Sequence, residues 1–141
     1  MKPAGTGQHT GMEIFEIAPI AEQSADFRRE LWTGKHSQLV VMTLKPGEDI
    51  GLEVHPDNDQ LLTFLSGTGE ALVDGEKRAV GPGTLVAVPA GAEHNFTNTG
   101  PLPLVLYTVY GPPDHAPGTV HRTKEEAEAA EAAGEDEPPQ G

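Results

Sequence analysis

Turn-forming residues interrupt this chain at short intervals, and no run between them shows the period of a helix until the C-terminal end. Glycine and proline account for 17 and 13 of the 141 residues. The runs between them are rich in β-branched residues, which suit short strands. Asp74-Gly75 is the strongest turn signal, because aspartate followed by glycine suits the two-residue turn of a β-hairpin. The pattern predicts an all-β fold, a jelly roll or a related barrel.

The predicted strands follow one another with short turns between them. Val40, Met42 and Leu44 fall on one face of their strand, since successive side chains of a strand alternate between its two faces. Residues 56–59 are expected to reverse the chain, so that the strand beginning at Gln60 pairs with the strand before the turn. The predicted strands are 13–17, 27–33, 38–45, 51–55, 60–65, 70–73, 77–80, 84–88, 94–98 and 104–110.

Three regions are expected along the chain. Residues 1–11 are predicted to be a disordered N-terminus, 12–120 a β-barrel, and 121–141 a short acidic helix with a disordered tail. Thr123 is the expected N-cap of that helix, and Glu126 completes a capping box with it. The tail has few apolar side chains to bury, so it is expected to be dispensable for the functional site.

Composition excludes several classes of function. The chain has 22 acidic and 9 basic residues, a formal net charge of −13, which should repel nucleic acids and anionic membranes. It has no cysteine, so disulfides, thiolate metal ligands and cysteine nucleophiles are ruled out. The N-terminus lacks the apolar segment of a signal peptide, and no apolar run approaches the ~20 residues of a membrane span. A soluble cytoplasmic protein is the expectation.

Four side chains could converge on one metal ion. Glu53 and His55 are two residues apart, so they point the same way from one strand. Gln60 opens the next strand, and His94 begins a strand of a second hairpin. One carboxylate, two imidazoles and one amide oxygen suit a divalent ion such as Mn²⁺, Fe²⁺, Ni²⁺ or Zn²⁺. Gln60 is the weakest donor of the four, and its alternative role is to orient Glu53 or a water molecule.

The spacing around these residues resembles the first of two motifs of the cupin superfamily, as found in its small single-domain bacterial members. In that family the position of Glu53 is usually histidine, and the position of Gln60 is usually glutamate. The set keeps one carboxylate, which has moved from one position to the other. The motif reads Gly47, five residues, Glu53-Val54-His55, four residues, Gln60, six residues and Gly67.

The second motif resembles that of the family at every position. It reads Gly83, five residues, Pro89-Ala90-Gly91, two residues, His94, three residues and Asn98. The resemblance implies a cupin-like jelly-roll β-barrel that holds a divalent metal ion. Asn98 is expected to be structural, with its side chain hydrogen-bonded to a loop. Outside the motifs, His36, His115 and His121 are expected at the surface.

Cupins with such sites include isomerases, decarboxylases and dioxygenases. The resemblance therefore implies a metalloenzyme that uses its metal as a Lewis acid on a small organic molecule. The sequence assigns no catalytic residue, and Lys45 is the only basic residue close to the first motif. Two alternatives stay open: a module that binds a small ligand without turnover, and a structural barrel that serves as a dimerisation unit. A homodimer is expected, because the strand predicted at 13–17 would otherwise leave an edge exposed.

Overall fold

The computed structural model describes residues 11–139, which form two antiparallel β-sheets packed face to face with two short helices outside them. The larger sheet has the order β10-β1-β2-β9-β4-β7, and the smaller has the order β3-β8-β5-β6. The predicted all-β jelly-roll barrel with a short C-terminal helix is confirmed. The elements are α1 (Ile17–Gln23), β1 (Arg28–Thr33), β2 (Gln38–Leu44), β3 (Glu53–Val54), β4 (Asp59–Ser66), β5 (Gly69–Val73), β6 (Glu76–Val80), β7 (Leu85–Val88), β8 (Glu93–Asn98), β9 (Leu104–Gly111), β10 (Val120–His121) and α2 (Lys124–Ala132).

The barrel core lies between the two sheets. Inward side chains come from alternate positions of each strand, as Val40, Met42 and Leu44 do on β2. Phe64 on β4 and Phe96 on β8 are fully buried, and their ring centroids lie 5.7 Å apart. This aromatic pair joins the sheets, and each buried ring adds a large apolar area to the core.

The strand predicted at 13–17 is wrong, because residues 13–16 belong to no strand or helix and α1, two turns long, begins at Ile17. Pro19 is compatible with this helix, since the amide of a first-turn residue has no partner within a helix. The helix packs Ala21 against Leu31 and Val41 on the outer face of the larger sheet. Burial of that face decides the local structure, and the exposed edge that suggested a dimer is not present at these residues.

The pairing predicted between the strands on either side of residues 56–59 is also wrong. β3 pairs with β8 in the smaller sheet, whereas β4 lies in the larger sheet between β9 and β7. Asn58 explains the crossing, because its Nδ2 donates to the carbonyl oxygens of Pro112 at 2.6 Å and Pro113 at 3.3 Å. These bonds fasten the turn to the segment after β9 instead of closing a hairpin.

The C-terminal helix α2 begins where its cap predicts. Thr123 Oγ1 accepts a hydrogen bond from the backbone N–H of Glu126 at 3.1 Å, and Gly134 follows the helix with a φ of +71°. A left-handed glycine just after the last turn is a common way to end a helix. None of the helices within residues 11–139 has the length and apolar character needed to cross a membrane. The N-terminal disorder predicted for 1–11 lies almost wholly outside the described residues.

Asn98 has the structural role expected of it at the end of β8. Its Nδ2 donates to the carbonyl oxygens of Leu44 at 2.9 Å and Leu102 at 2.8 Å, and its Oδ1 accepts from the N–H of Gly100 at 2.9 Å. The side chain thus ties the end of β2 to the loop between β8 and β9.

Replacing Asn98 with alanine should therefore destabilise the fold. Asn98→Ala removes three hydrogen bonds from poorly solvated backbone groups, and we expect a loss of about 2 kcal/mol in the free energy of unfolding. Urea denaturation monitored by circular dichroism measures it. The exposed neighbour Thr99→Ala is the matched control and should change little. Equal midpoints for the two variants would contradict this role.

Candidate metal centre

Glu53, His55 and His94 form a compact cluster at one end of the barrel. Glu53 on β3 lies directly opposite His94 on β8, and His55 follows β3. One carboxylate oxygen and one nitrogen of each imidazole all lie within 4.8 Å of one another. The two imidazole rings are 5.1 Å apart at their centroids. Three of the four predicted ligands therefore meet at one place.

His94 is oriented as a metal ligand would be. Its Nδ1 lies 2.9 Å from the carbonyl oxygen of Ala92, and the ring is almost fully buried. A carbonyl oxygen can only accept, so Nδ1 carries the proton and Nε2 keeps its lone pair. A backbone partner of this kind fixes both the tautomer and the direction of a ligating histidine.

His55 lies between two carboxylates. Its Nε2 is 2.8 Å from Glu53 Oε2, and its Nδ1 is 3.5 Å from Asp114 Oδ2. The Nε2 contact does not have the direction of a hydrogen bond, so that nitrogen has no hydrogen-bond partner within residues 11–139. Two potential ligand atoms that lie this close, with no hydrogen bond between them, fit a pair that coordinates one cation.

The pKa values of Glu53 and His55 are shifted in opposite directions. Burial would raise the pKa of Glu53, but His55 and the nearby Arg28 guanidinium hold that pKa below its usual value. Burial would lower the pKa of His55, but Glu53 and Asp114 hold that pKa above its usual value. Without a metal the imidazole therefore holds a proton more strongly, and a metal ion has to displace that proton.

Gln60 belongs to the larger sheet, whereas Glu53 and His94 belong to the smaller one. It lies on β4, and its Nε2 donates to Thr108 Oγ1 at 3.0 Å. Its amide oxygen is buried and has no hydrogen-bond partner in the described part of the chain. An unsatisfied buried carbonyl is unusual in a folded protein and would suit a cation or a water molecule. The donor chemistry of the cluster thus fits a divalent ion, with Gln60 as a candidate fourth ligand.

The segment after β9 brings further polar groups to the cluster, which the sequence analysis did not anticipate. Gln38 on β2 holds this segment, because its Oε1 accepts from the N–H groups of Asp114 and His115 and its Nε2 donates to the carbonyl of His115. Asp114 thereby stands beside His55. The position of Asp114 depends on its contact with Gln38, which lies 76 residues away in the sequence. A single sequence offers no signal for such a contact.

The surface positions predicted for His115 and His121 are wrong. Both are buried, at 6% and 8% exposure. His115 Nε2 lies 3.2 Å from the Tyr110 hydroxyl, and its Nδ1 lies 2.6 Å from Asp136 Oδ2. The chain folds back over the end of the barrel here, so both histidines are enclosed. His36 is exposed, as expected.

Asp136 fastens the segment after α2 to the same region. Besides His115, it accepts a hydrogen bond from the N–H of Ala116 at 3.0 Å. Burial would raise the pKa of Asp136, but the contacts with His115 lower it to about 2. A cavity of about 450 Å³ has both Glu53 and Asp136 among its lining residues. Asp136 therefore lies beside the candidate site, and the dispensability of the tail for metal binding stays a prediction.

The Asp136 contact should contribute stability that depends on pH. Its folded pKa of about 2 is below the ordinary value of 3.8, so the contribution is complete above about pH 5 and is lost as pH falls toward 2. We expect Asp136→Asn to lose roughly 1–2 kcal/mol at neutral pH, once solvent screening is allowed for. Urea titrations from pH 6 to pH 3 should show the gap from wild type closing. Glu135→Gln is the exposed control, and a gap that does not vary with pH would contradict this assignment.

The motifs are those of a known family. A family model described as the cupin domain matches residues 40–110, about half of the chain. The chain therefore belongs to the cupin family, as the spacing of its glycine, proline and histidine residues predicted.

Similar proteins extend this match beyond the motifs. The chain is 46% identical over 124 residues to the uncharacterised protein YrkC of Bacillus subtilis, an alignment that covers 84% of this chain and 67% of YrkC. It superposes on BH2720 of Bacillus halodurans with a TM-score of 0.84 and 40% identity, covering 87% of this chain and 98% of that one. A Thermotoga maritima protein described as a predicted oxalate decarboxylase gives a TM-score of 0.54 and 25% identity, covering 56% of this chain and 69% of that one.

Proposed function

We propose that this protein is a divalent-metal-binding cupin that acts on a small organic molecule, with Glu53, His55 and His94 as metal ligands. The observation that carries the proposal is the meeting of these three donor groups within 4.8 Å. Gln60 is the proposed fourth ligand, because its buried amide oxygen has no other partner among the described residues. Manganese, iron, nickel and zinc all suit this mixture of nitrogen and oxygen donors.

The bound metal would supply a Lewis acid for a carbonyl or carboxylate oxygen of the substrate. The chain itself would orient the ligands. Ala92 holds His94 through Nδ1, and Asp114 stands beside Nδ1 of His55, so both rings direct Nε2 at the same region. Burial raises the pKa of the Tyr110 hydroxyl, which therefore keeps its proton beside the site and can donate it in a hydrogen bond.

The reaction belongs to the isomerase, decarboxylase or dioxygenase type found among cupins. The likeness to the Thermotoga maritima protein described as a predicted oxalate decarboxylase supports the decarboxylase type among these. A non-catalytic module that binds a small ligand is the second candidate. This second candidate is favoured because the polar side chains beside the cluster already contact one another or His55. These side chains are Asp114, His115 and Asp136.

Metal analysis tests the proposed ligands. Glu53→Ala and His94→Ala should each lose tight binding of a divalent ion, because each removes a strong donor from a small set. Gln60→Ala should lose much less, because an amide oxygen is the weakest donor of the four. Elemental analysis of protein purified without an affinity tag measures the metal content of each variant.

The control for this test is Glu93→Ala, which removes an exposed carboxylate next to His94 and should leave the metal content unchanged. Circular dichroism should show that the barrel remains folded in all the variants. Full metal occupancy in either Glu53→Ala or His94→Ala would refute the site.

We also propose that the protein is a homodimer. The edge strand that first suggested it is not present, but Leu61 on β4 and Leu85 on β7 point outward from adjacent strands and are 43% and 56% exposed. A second copy would cover these apolar side chains. Light scattering at micromolar concentration should give the mass of a dimer, and Leu61→Glu should shift it toward the monomer. A monomeric wild type would contradict the proposal.

A further inference from the structure

Arg28 is a buried charge that makes no hydrogen bond and no close ion pair with the residues that the structure describes. It lies on β1 opposite His121 and is 5% exposed. Its Nε makes no hydrogen bond, and no carboxylate oxygen of residues 11–139 lies within the 4.0 Å of its nitrogens that an ion pair requires. The guanidinium carbon is 5.3 Å from the centroid of the Phe27 ring. That contact favours the charge but leaves the buried Nε–H without an acceptor among the described residues.

An arrangement of this kind is costly for the folded protein. Removing a guanidinium from water is unfavourable unless hydrogen bonds and an opposite charge replace the hydration. The next residue, Arg29, shows the ordinary alternative, because it lies on the opposite face of β1 and is exposed. In the described part of the chain, no hydrogen bond or close ion pair compensates for the burial of Arg28.

Arg28 faces the candidate metal centre. It lines the cavity of about 450 Å³ together with Glu53 and His55. It also lines an adjoining cavity of about 170 Å³, in which Glu53 is again a lining residue. Arg28 thus borders both cavities beside the proposed metal ligand Glu53.

Among the described residues, no acidic group around the larger cavity lies within ion-pair distance of Arg28. Asp114 and Asp136 contact the histidines of the site, and Glu53 contacts His55. Glu131 and Glu137 lie on the exposed rim, where water screens them. Arg28 is the only arginine or lysine among the residues that line this cavity within the described chain.

We propose that Arg28 binds a carboxylate group of the small molecule that occupies this cavity, so that the natural ligand is a carboxylic acid. The proposal names the ligand class of the proposed metal site and rests on it. The planar guanidinium offers parallel N–H donors that match the two oxygens of a carboxylate. A doubly charged phosphate fits less well, because Arg28 is the one arginine or lysine among the described residues that line the larger cavity, and several acidic side chains line it too.

Binding measurements with matched probes test this assignment. Succinate and its neutral diamide, succinamide, have similar size and differ in charge. Isothermal titration calorimetry on the metal-loaded protein should show succinate binding at least about tenfold more tightly than succinamide. Arg28→Gln should remove that difference, Arg28→Lys should restore part of it, and the matched Arg29→Gln should keep all of it.

Metal content, measured on the same samples, separates this proposal from that of the metal centre. Arg28→Gln with full metal and weakened succinate binding supports the carboxylate role. Arg28→Gln that binds succinate as tightly as wild type overturns it. Tighter binding of inorganic phosphate than of succinate, if that binding is lost in Arg28→Gln, overturns the proposed ligand class. No binding of any two- to six-carbon carboxylate at millimolar concentration also overturns it, whereas a wild type without metal refutes the metal centre itself.

A stability measurement distinguishes this role from a structural one. Arg28→Met removes an unpaired buried charge and keeps most of the side-chain volume. Its urea midpoint without ligand should equal or exceed that of wild type. A marked fall in that midpoint, together with unchanged succinate binding, would show that Arg28 serves the fold and not the ligand.

Discussion

The register of β3 against β8 is the constraint on which the candidate site depends. β3 pairs through only two residues, and one of these pairs sets Glu53 opposite His94. A shift by one residue would turn Glu53 to the other face of the sheet, because side chains alternate. Hydrogen bonds on both sides prevent such a shift: the N–H of Gly51 donates to Asn95 Oδ1, and the N–H of Gly91 donates to the carbonyl of His55. A short strand thus keeps a fixed register through contacts outside its own ladder.

The larger sheet contributes to the same site through a residue far from the motifs. Gln38, fully buried on β2, uses both its amide oxygen and its amide nitrogen on the backbone at Asp114 and His115. This arrangement places one carboxylate beside His55 and one imidazole beside the Tyr110 hydroxyl. Because the bonds are to the backbone, they fix the path of the segment and thereby the positions of the side chains that contact one another and His55.

Much of this structure could be predicted from the sequence, and the failures have a common physical cause. Alternation and turn residues predict most strands, since both are local properties of the chain. The motif spacing brings Glu53, His55 and His94 together, because each motif contains its own turn. The partner of β3 was not predictable in this way, since alternation gives the face of a strand and not its neighbour. The helix α1 was missed because the burial of Ala21 against the sheet, and not local propensity, determines it.

Arg28 is the clearest case of a residue whose role only the folded chain reveals. In the sequence it is one of two adjacent arginines on a predicted strand, and nothing local distinguishes it from Arg29. The strand turns one arginine to solvent and buries the other, which lines a cavity together with Glu53 and His55 of the candidate metal centre. A core built for stability alone would favour an apolar side chain there, because an unpaired buried charge opposes folding. Arg28 lies where a bound anion could offset that cost. The charge that destabilises the fold without a ligand is therefore already placed to bind one.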